Sequence, residues 1–266
     1  DLRLRKLVGF SEVNNTLEDW AKEKQRFYIP LKFWFTEAYS SSLPLVGLYQ
    51  HEVVVDFTFR SLADMTVLNS GGLALSGGEI TNMSLVAEYC FLSNPERNYF
   101  ARGTHKYLLN QIQFSGSATI AANAVGYTAN IHFNHPTSEL IWMLRKDSSD
   151  GYFDFTGEGV APFADHSFAS MKLLLNSSER FAARDPLYFN RVVPKRHHSI
   201  LPGLNSGGKA KVYCYAFGLT PEKVADPSGS INFSRIDNSQ MVFTFQAPLT
   251  EAHEFFLFAK SKNWMK

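Results

Sequence analysis

The stretch Pro227-Ser-Gly-Ser-Ile-Asn-Phe-Ser-Arg-Ile-Asp-Asn238 decides how this chain is read. It lies between two runs that alternate like β-strands, residues 212–219 and 241–246. The stretch itself reads as a turn, a short strand and another turn. Gly229 suits a positive φ in the first turn, because it carries no Cβ. On an extended strand over 230–236, Ile231, Phe233 and Arg235 share one face. Ile231 and Phe233 then point into a core, and Arg235 reaches its rim. An unpaired buried charge is strongly destabilising. Arg235 is therefore expected to be largely buried and hydrogen-bonded to Asp237 or to backbone carbonyls. The alternative is a solvated Arg at a strand end.

Strand patterns dominate on either side. Val53, Val55, Phe57 and Phe59 alternate with Val54, Asp56, Thr58 and Arg60, which predicts a half-buried strand. Leu140, Trp142 and Leu144 alternate in the same way with Ile141, Met143 and Arg145. In 211–219 both faces are apolar, as in a strand covered on both sides. Met241, Phe243 and Phe245 form one face of the next strand, and 255–259 is a continuous apolar run. Turn chemistry separates these runs at Ser70-Gly-Gly72, Ser76-Gly-Gly78, Asp150-Gly151, Leu201-Pro-Gly203 and Ser206-Gly-Gly208. Helical signals are few. Ser93-Asn94-Pro95-Glu96 predicts an N-cap with Pro in the first turn, and 104–111 reads as a second short helix. Many short strands joined by Gly-rich connections predict an all-β antiparallel sandwich, jelly-roll or barrel.

The chain has 266 residues, of which 45% are hydrophobic and 19% charged, with 23 Phe. That is enough apolar material for a packed core and too much for a disordered chain. The apolar runs are too short to span a bilayer, and the charged start Asp1-Leu-Arg-Leu-Arg-Lys6 does not read as a signal peptide. Net charge is +1, without the basic stripe of a nucleic-acid binder, so no direct nucleic-acid contact is expected. Cys90 and Cys214 are too few and too far apart to predict a disulfide framework or a zinc site, and they suit a reducing compartment.

Patterns that carry catalysis or metal binding are weak. His132 and His135 have a spacing used by metal ligands, but they read as a strand running into the turn Asn134-His135-Pro136, hence as structural histidines. His197 and His198 are consecutive, so on an extended chain they point to opposite faces and do not easily share an ion. No His-x-His pair, phosphate loop or nucleophile elbow occurs. Asp154, Glu158 and Asp165 read as solvated loop charges. The expectation is a non-enzyme with no catalytic, cofactor-binding or metal-ligating residues and no cofactor. Asn14, Asn82, Asn176 and Asn232 head glycosylation sequons, which leaves room for glycans.

Several separated segments resemble, in order, the major capsid proteins of nucleocytoplasmic large DNA viruses. They include Tyr28-Ile-Pro-Leu-Lys-Phe-Trp-Phe35, Leu43-Pro-Leu-Val-Gly-Leu-Tyr-Gln-His-Glu-Val53, and Leu85-Val-Ala-Glu-Tyr-Cys-Phe-Leu92 with Glu96-Arg97 and His105-Lys-Tyr-Leu-Leu-Asn-Gln111. Phe133-Asn-His-Pro-Thr-Ser-Glu-Leu-Ile-Trp142, Asn176 with Glu179-Arg180-Phe181, Tyr188-Phe-Asn190, and Tyr215-Ala-Phe217 running into 227–238 complete the set. The resemblance implies a double jelly-roll family. Residues 1–60 would be the end of an incomplete N-terminal jelly roll, and 61–266 the C-terminal jelly roll, its final strand absent. It also implies homotrimeric pseudo-hexagonal capsomers in the capsid of a large icosahedral virion, assembled in the host cytoplasm as a late protein. Partners would be copies of itself, neighbouring capsomers and minor capsid proteins, with room for an inner membrane beneath the shell. The alternatives are a jelly-roll binding module for carbohydrate or host attachment, or a minor capsid or vertex protein of the same fold.

Overall fold

The structure is a computed structural model that describes residues 26, 28–36, 39–59, 80–148, 154–159, 161, 163–199, 211–223 and 226–265. The turns expected at 70–72, 76–78, 150–151, 201–203 and 206–208, and the sequon at Asn14, lie outside the described residues.

Among the described residues, the first regular elements are two 3₁₀ turns, Trp34–Thr36 and Tyr39–Ser41, and helix α1, Asn94–Arg102. Helix α1 starts where the sequence predicts. Pro95 occupies the first turn, and the Ser93 amide and hydroxyl both donate to the Glu96 carboxylate, at 2.9 and 2.7 Å. Nine strands among the described residues follow: β1 Tyr107–Ile120, β2 Gly126–Asn130, β3 Pro136–Lys146, β4 Ser170–Leu175, β5 Ser178–Glu179, β6 Tyr213–Ala216, β7 Ile231–Asn232, β8 Ser239–Thr244 and β9 His253–Met265. Between β5 and β6 a π-helical turn, Tyr188–Val192, runs into the short helix α2, Val193–His197.

The strands form two antiparallel sheets. One has the order β1-β9-β3-β6, with β7 also on β3; the other has the order β2-β8-β4-β5. Successive strands repeatedly cross from one sheet to the other, and the two inner faces enclose a single core. Strand β3 contributes Leu140, Trp142 and Leu144, β8 contributes Met241 and Phe243, and β9 contributes Phe255, Leu257 and Ala259. The Phe243 and Phe255 rings meet across the core at 5.5 Å, and Phe168 touches both Tyr213 and Phe243. This is the all-β antiparallel sandwich expected from the alternation, with few short helices. No helix among the described residues is long and apolar enough to cross a membrane.

Two local expectations are corrected. Residues 104–111 do not form a helix; from Tyr107 onward they enter β1, because β9 offers a ladder from Tyr107↔Met265 to Ile120↔His253, interrupted by a bulge between Phe114 and Ser117. Tertiary pairing overrides a weak helical preference here. Residues 53–59 carry the strand alternation but pair with no described strand. Val53, Val54, Phe57 and Phe59 are consequently exposed rather than half-buried.

Candidate functional site

The 227–238 stretch is built as a turn, a two-residue strand and a 3₁₀ turn. Gly229 has φ +138°, a conformation that favours glycine. It lies so close to Gly218 that a Cβ on Gly218 would meet the Gly229 carbonyl oxygen at 2.7 Å. Two glycines thus let the stretch pass against the end of the segment after β6. Extended structure ends at Asn232, whose side-chain oxygen accepts the Ser234 amide and starts the 3₁₀ turn Phe233–Arg235. Phe233 still enters the core, packing edge-on against Phe133 and Phe217.

The turn breaks the two-residue period, and Arg235 leaves the face it would have shared with Phe233. Arg235 is exposed, contrary to the expectation of a buried, hydrogen-bonded guanidinium. Asp237 is exposed too; its amide donates to the Asn176 side chain, as does that of Asn238. Arg235→Ala is therefore expected to change the unfolding free energy by no more than about 0.5 kcal/mol, the scale for exposed positions. Urea titration of the variant beside the parent checks this. A loss above about 2 kcal/mol would restore the buried-pair reading.

The outward face of the larger sheet is apolar. On β9, Phe255, Leu257 and Ala259 point inward, so Phe256 and Phe258 point out. Phe114 of β1 lies opposite Phe258, with ring centroids 4.6 Å apart, and 6.4 Å from Phe256. Ile141 and Met143 of β3 flank the same two phenylalanines. The Arg145 guanidinium sits 5.4 Å above the Phe256 ring and pairs with Glu254. Phe114 and Ile112 are 51% and 72% exposed. Phe256, Phe258, Ile141 and Met143 are half-buried, so the exposed apolar surface of this face is concentrated on β1.

A second feature lies at the β3–β6 edge. Glu139 is buried on β3, on the same side of the strand as Ile141. Cys214 of β6 is buried directly opposite Ile141 and so shares that side. The residue that caps helix α2 is His198, whose Nε2 bonds the Glu139 carboxylate and whose Nδ1 lies 3.0 Å from Glu222 Oε1. Glu222 in turn accepts the Ser199 amide and hydroxyl. The bond to Glu139, working against burial, holds His198 above its ordinary pKa, and Glu222 adds to this. Burial draws Glu222 upward, but Ser199 and His198 outweigh it and hold the carboxyl below the usual range. Burial and the neighbouring Glu139 carboxylate push the Cys214 thiol up.

A third group is buried beside it. The His166 Nδ1 lies 2.9 Å from the Tyr213 hydroxyl, both groups being nearly inaccessible. Burial first, and the nearby Lys211 cation second, lower the His166 pKa from 6.5 to about 4. The imidazole is neutral at neutral pH.

The other residues singled out in the sequence are scattered. His132 is exposed, while His135 takes φ +66° at the turn before β3. His197 Nδ1 bonds the Leu219 carbonyl and His198 joins the Glu139 cluster, so the adjacent histidines do part company. Asp154, Glu158 and Asp165 each find a separate partner: the Thr156 amide, the Thr250 amide and Lys211. Of the sequons, Asn82 and Asn176 are exposed and Asn232 is half-buried. Sequence spacing missed the Glu139 cluster, because its members are brought together only by the strand pairing and by the path of α2.

Comparison with known proteins places these features in a family. Residues 96–265 match the family model described as large eukaryotic DNA virus major capsid protein, and residues 5–93 match that of the major capsid protein N-terminus. The chain is 33% identical over 234 residues to a major capsid protein of Pyramimonas orientalis virus, covering 80% of this chain and 52% of the relative. It is 33% identical over 261 residues to that of Paramecium bursaria Chlorella virus 1, covering 86% of this chain and 58% of the relative. The chain thus spans little more than half the length of these relatives. Among solved structures, a quasi-atomic model of the PBCV-1 virus capsid superposes with a TM-score of 0.71 at 27% identity, over 99% of this chain and 72% of that one. The Faustovirus major capsid protein shares the fold, with a TM-score of 0.52 over 66% of this chain and 36% of that one, at 12% identity. The two-sheet sandwich, the ordered motifs from Tyr28 onward and these matches agree: the chain belongs to the major capsid protein family of large eukaryotic DNA viruses.

Proposed function

We propose that this chain is a structural brick of the capsid of a large icosahedral DNA virus, and that three copies associate into a pseudo-hexagonal capsomer. In this reading it resides in the virion capsid after assembly in the host cytoplasm. It contacts copies of itself, neighbouring capsomers and minor capsid proteins. Residues 1–60 are the end of a first jelly roll and 61–266 hold the second, in which all nine described strands lie.

The observation that carries the proposal is the outward ladder of Phe114, Phe256 and Phe258, with Ile112 exposed beside it. A free monomer gains nothing from presenting such a ladder to water, whereas a capsomer that covers it removes apolar area at about 25 cal/mol per Å². A closed three-fold ring also needs interfaces on the order of 1,000 Å² or more. The full-length gene product is expected to elute as a trimer in light scattering at micromolar concentration. The double variant Phe114→Lys/Phe258→Lys is expected to shift it toward monomer. A stable monomer from the unmodified full-length protein would count against the capsomer reading.

A further inference from the structure

Glu139, His198 and Cys214 come from β3, the end of α2 and β6, and present one donor atom each within 4.8 Å of one another. We propose that these three side chains form a binding site for one zinc-class divalent cation. The site cross-links the α2 end to the β3–β6 edge.

The donor set argues for this class of ion. A thiolate, an imidazole and a single carboxylate suit zinc and its neighbours; calcium and magnesium prefer all-oxygen shells. The outer shell is already in place. A histidine that ligates through Nε2 commonly donates its Nδ1–H to a carboxylate, which sets the tautomer and the ring orientation. Glu222 occupies that position, 3.0 Å from Nδ1, and is itself fixed by three bonds from Ser199. An ordinary ion pair accounts for Glu139 beside His198. The Cys214 thiol, beside Glu139 and with the Phe189 carbonyl at 3.9 Å, adds a third donor atom at the same point.

The charge balance also closes. As donors, the Cys214 thiolate, a neutral His198 imidazole and the Glu139 carboxylate carry two negative charges, which one doubly charged cation neutralises; the proton on Cys214 Sγ, and any proton on His198 Nε2, leave to solvent. The His198 and Glu222 side chains are 16% and 41% exposed, whereas Glu139 is 2% exposed. The ion therefore enters from the His198 side, where a water completes a tetrahedral shell.

The test uses the full chain, stripped with chelator and titrated with cobalt(II). One equivalent is expected to produce a near-ultraviolet thiolate-to-metal absorption band and tetrahedral visible bands. Zinc is expected to displace the cobalt. Cys90→Ser, which removes the exposed thiol, is expected to leave the band unchanged, and Cys214→Ser to abolish it. Glu222→Gln touches no donor atom, so it keeps the band but weakens binding by about 10- to 100-fold. This arm stays decisive if Cys214→Ser fails to fold. The proposal is overturned by a folded parent chain that shows no thiolate band with one equivalent of cobalt. It is equally overturned by a band that vanishes with Cys90→Ser, or by a Glu222→Gln affinity equal to that of the parent.

Discussion

Trp142→Ala is expected to cost about 3–5 kcal/mol of stability, the scale for removing a large aromatic side chain from a packed core. Trp142 is fully buried at the centre of β3. Its ring packs edge-on against Phe189 at 5.2 Å and stacks on Tyr213 at 6.0 Å. It therefore joins the larger sheet, at its β3–β6 edge, to the π-helical turn. Neither neighbour can collapse into the void without leaving its own element, so the cavity persists. Urea denaturation followed by far-ultraviolet circular dichroism measures the effect, with Trp142→Phe as the smaller-volume control. A loss below about 1 kcal/mol would show that the core is far more plastic than its packing suggests.

Acid is expected to weaken the fold through His166. Its pKa is about 4 in the folded protein, below the ordinary 6.5. A base whose folded pKa is depressed leaves stability intact above its unfolded pKa. It withdraws stability as pH falls from 6.5 toward 4, because the unfolded chain takes up the proton first. The full difference is about 3 kcal/mol. The groups around the ring are the Tyr213 hydroxyl, the cations Lys211 and Arg191, and the carboxylates Asp165 and Asp185. The carboxylates pull the other way without overcoming burial and Lys211. His166→Gln keeps a partner for the Tyr213 hydroxyl and removes the titration. Between pH 6.5 and 4 its unfolding midpoint is therefore expected to fall less steeply than the parent's. Parallel curves for the two proteins would refute the assignment.

The alternation in 140–145 was legible because one face of β3 meets the core and the other does not; burial follows the pattern residue by residue. The strand β8 was legible for the same reason, with Met241, Phe243 and, just past its end, Phe245 all buried. Arg235 was misread because the two-residue period was carried three residues past Asn232. There a single side-chain bond to the Ser234 amide turns the chain. A local hydrogen bond of that kind leaves no trace in hydrophobic periodicity. Residues 104–111 were misread because β1 owes its conformation to β9, a partner that no local window contains. The Glu139 cluster was invisible for a related reason. Glu139 and His198 stand 59 residues apart, and each alone looks like an ordinary surface charge or a stray histidine. The β3–β6 register places Cys214 opposite Ile141, and the path of α2 brings His198 to Glu139.

The position of β9 has a kinetic consequence. It lies inside the larger sheet, between β1 and β3, yet it is the last of the nine strands to be synthesised. Gln111 and Ser261, bonded across the β1–β9 ladder, are 150 residues apart in the chain. Contacts of such separation close slowly, because loop entropy must be lost before any pairing compensates for it. Until β9 arrives, β1 and β3 each hold an open row of amides and carbonyls beside uncovered apolar side chains. Nascent chains at high local concentration can pair through such rows with one another rather than with their own β9. Synthesis rate and chaperone supply thus bear on the yield of competent subunits as directly as the strength of the finished sandwich does.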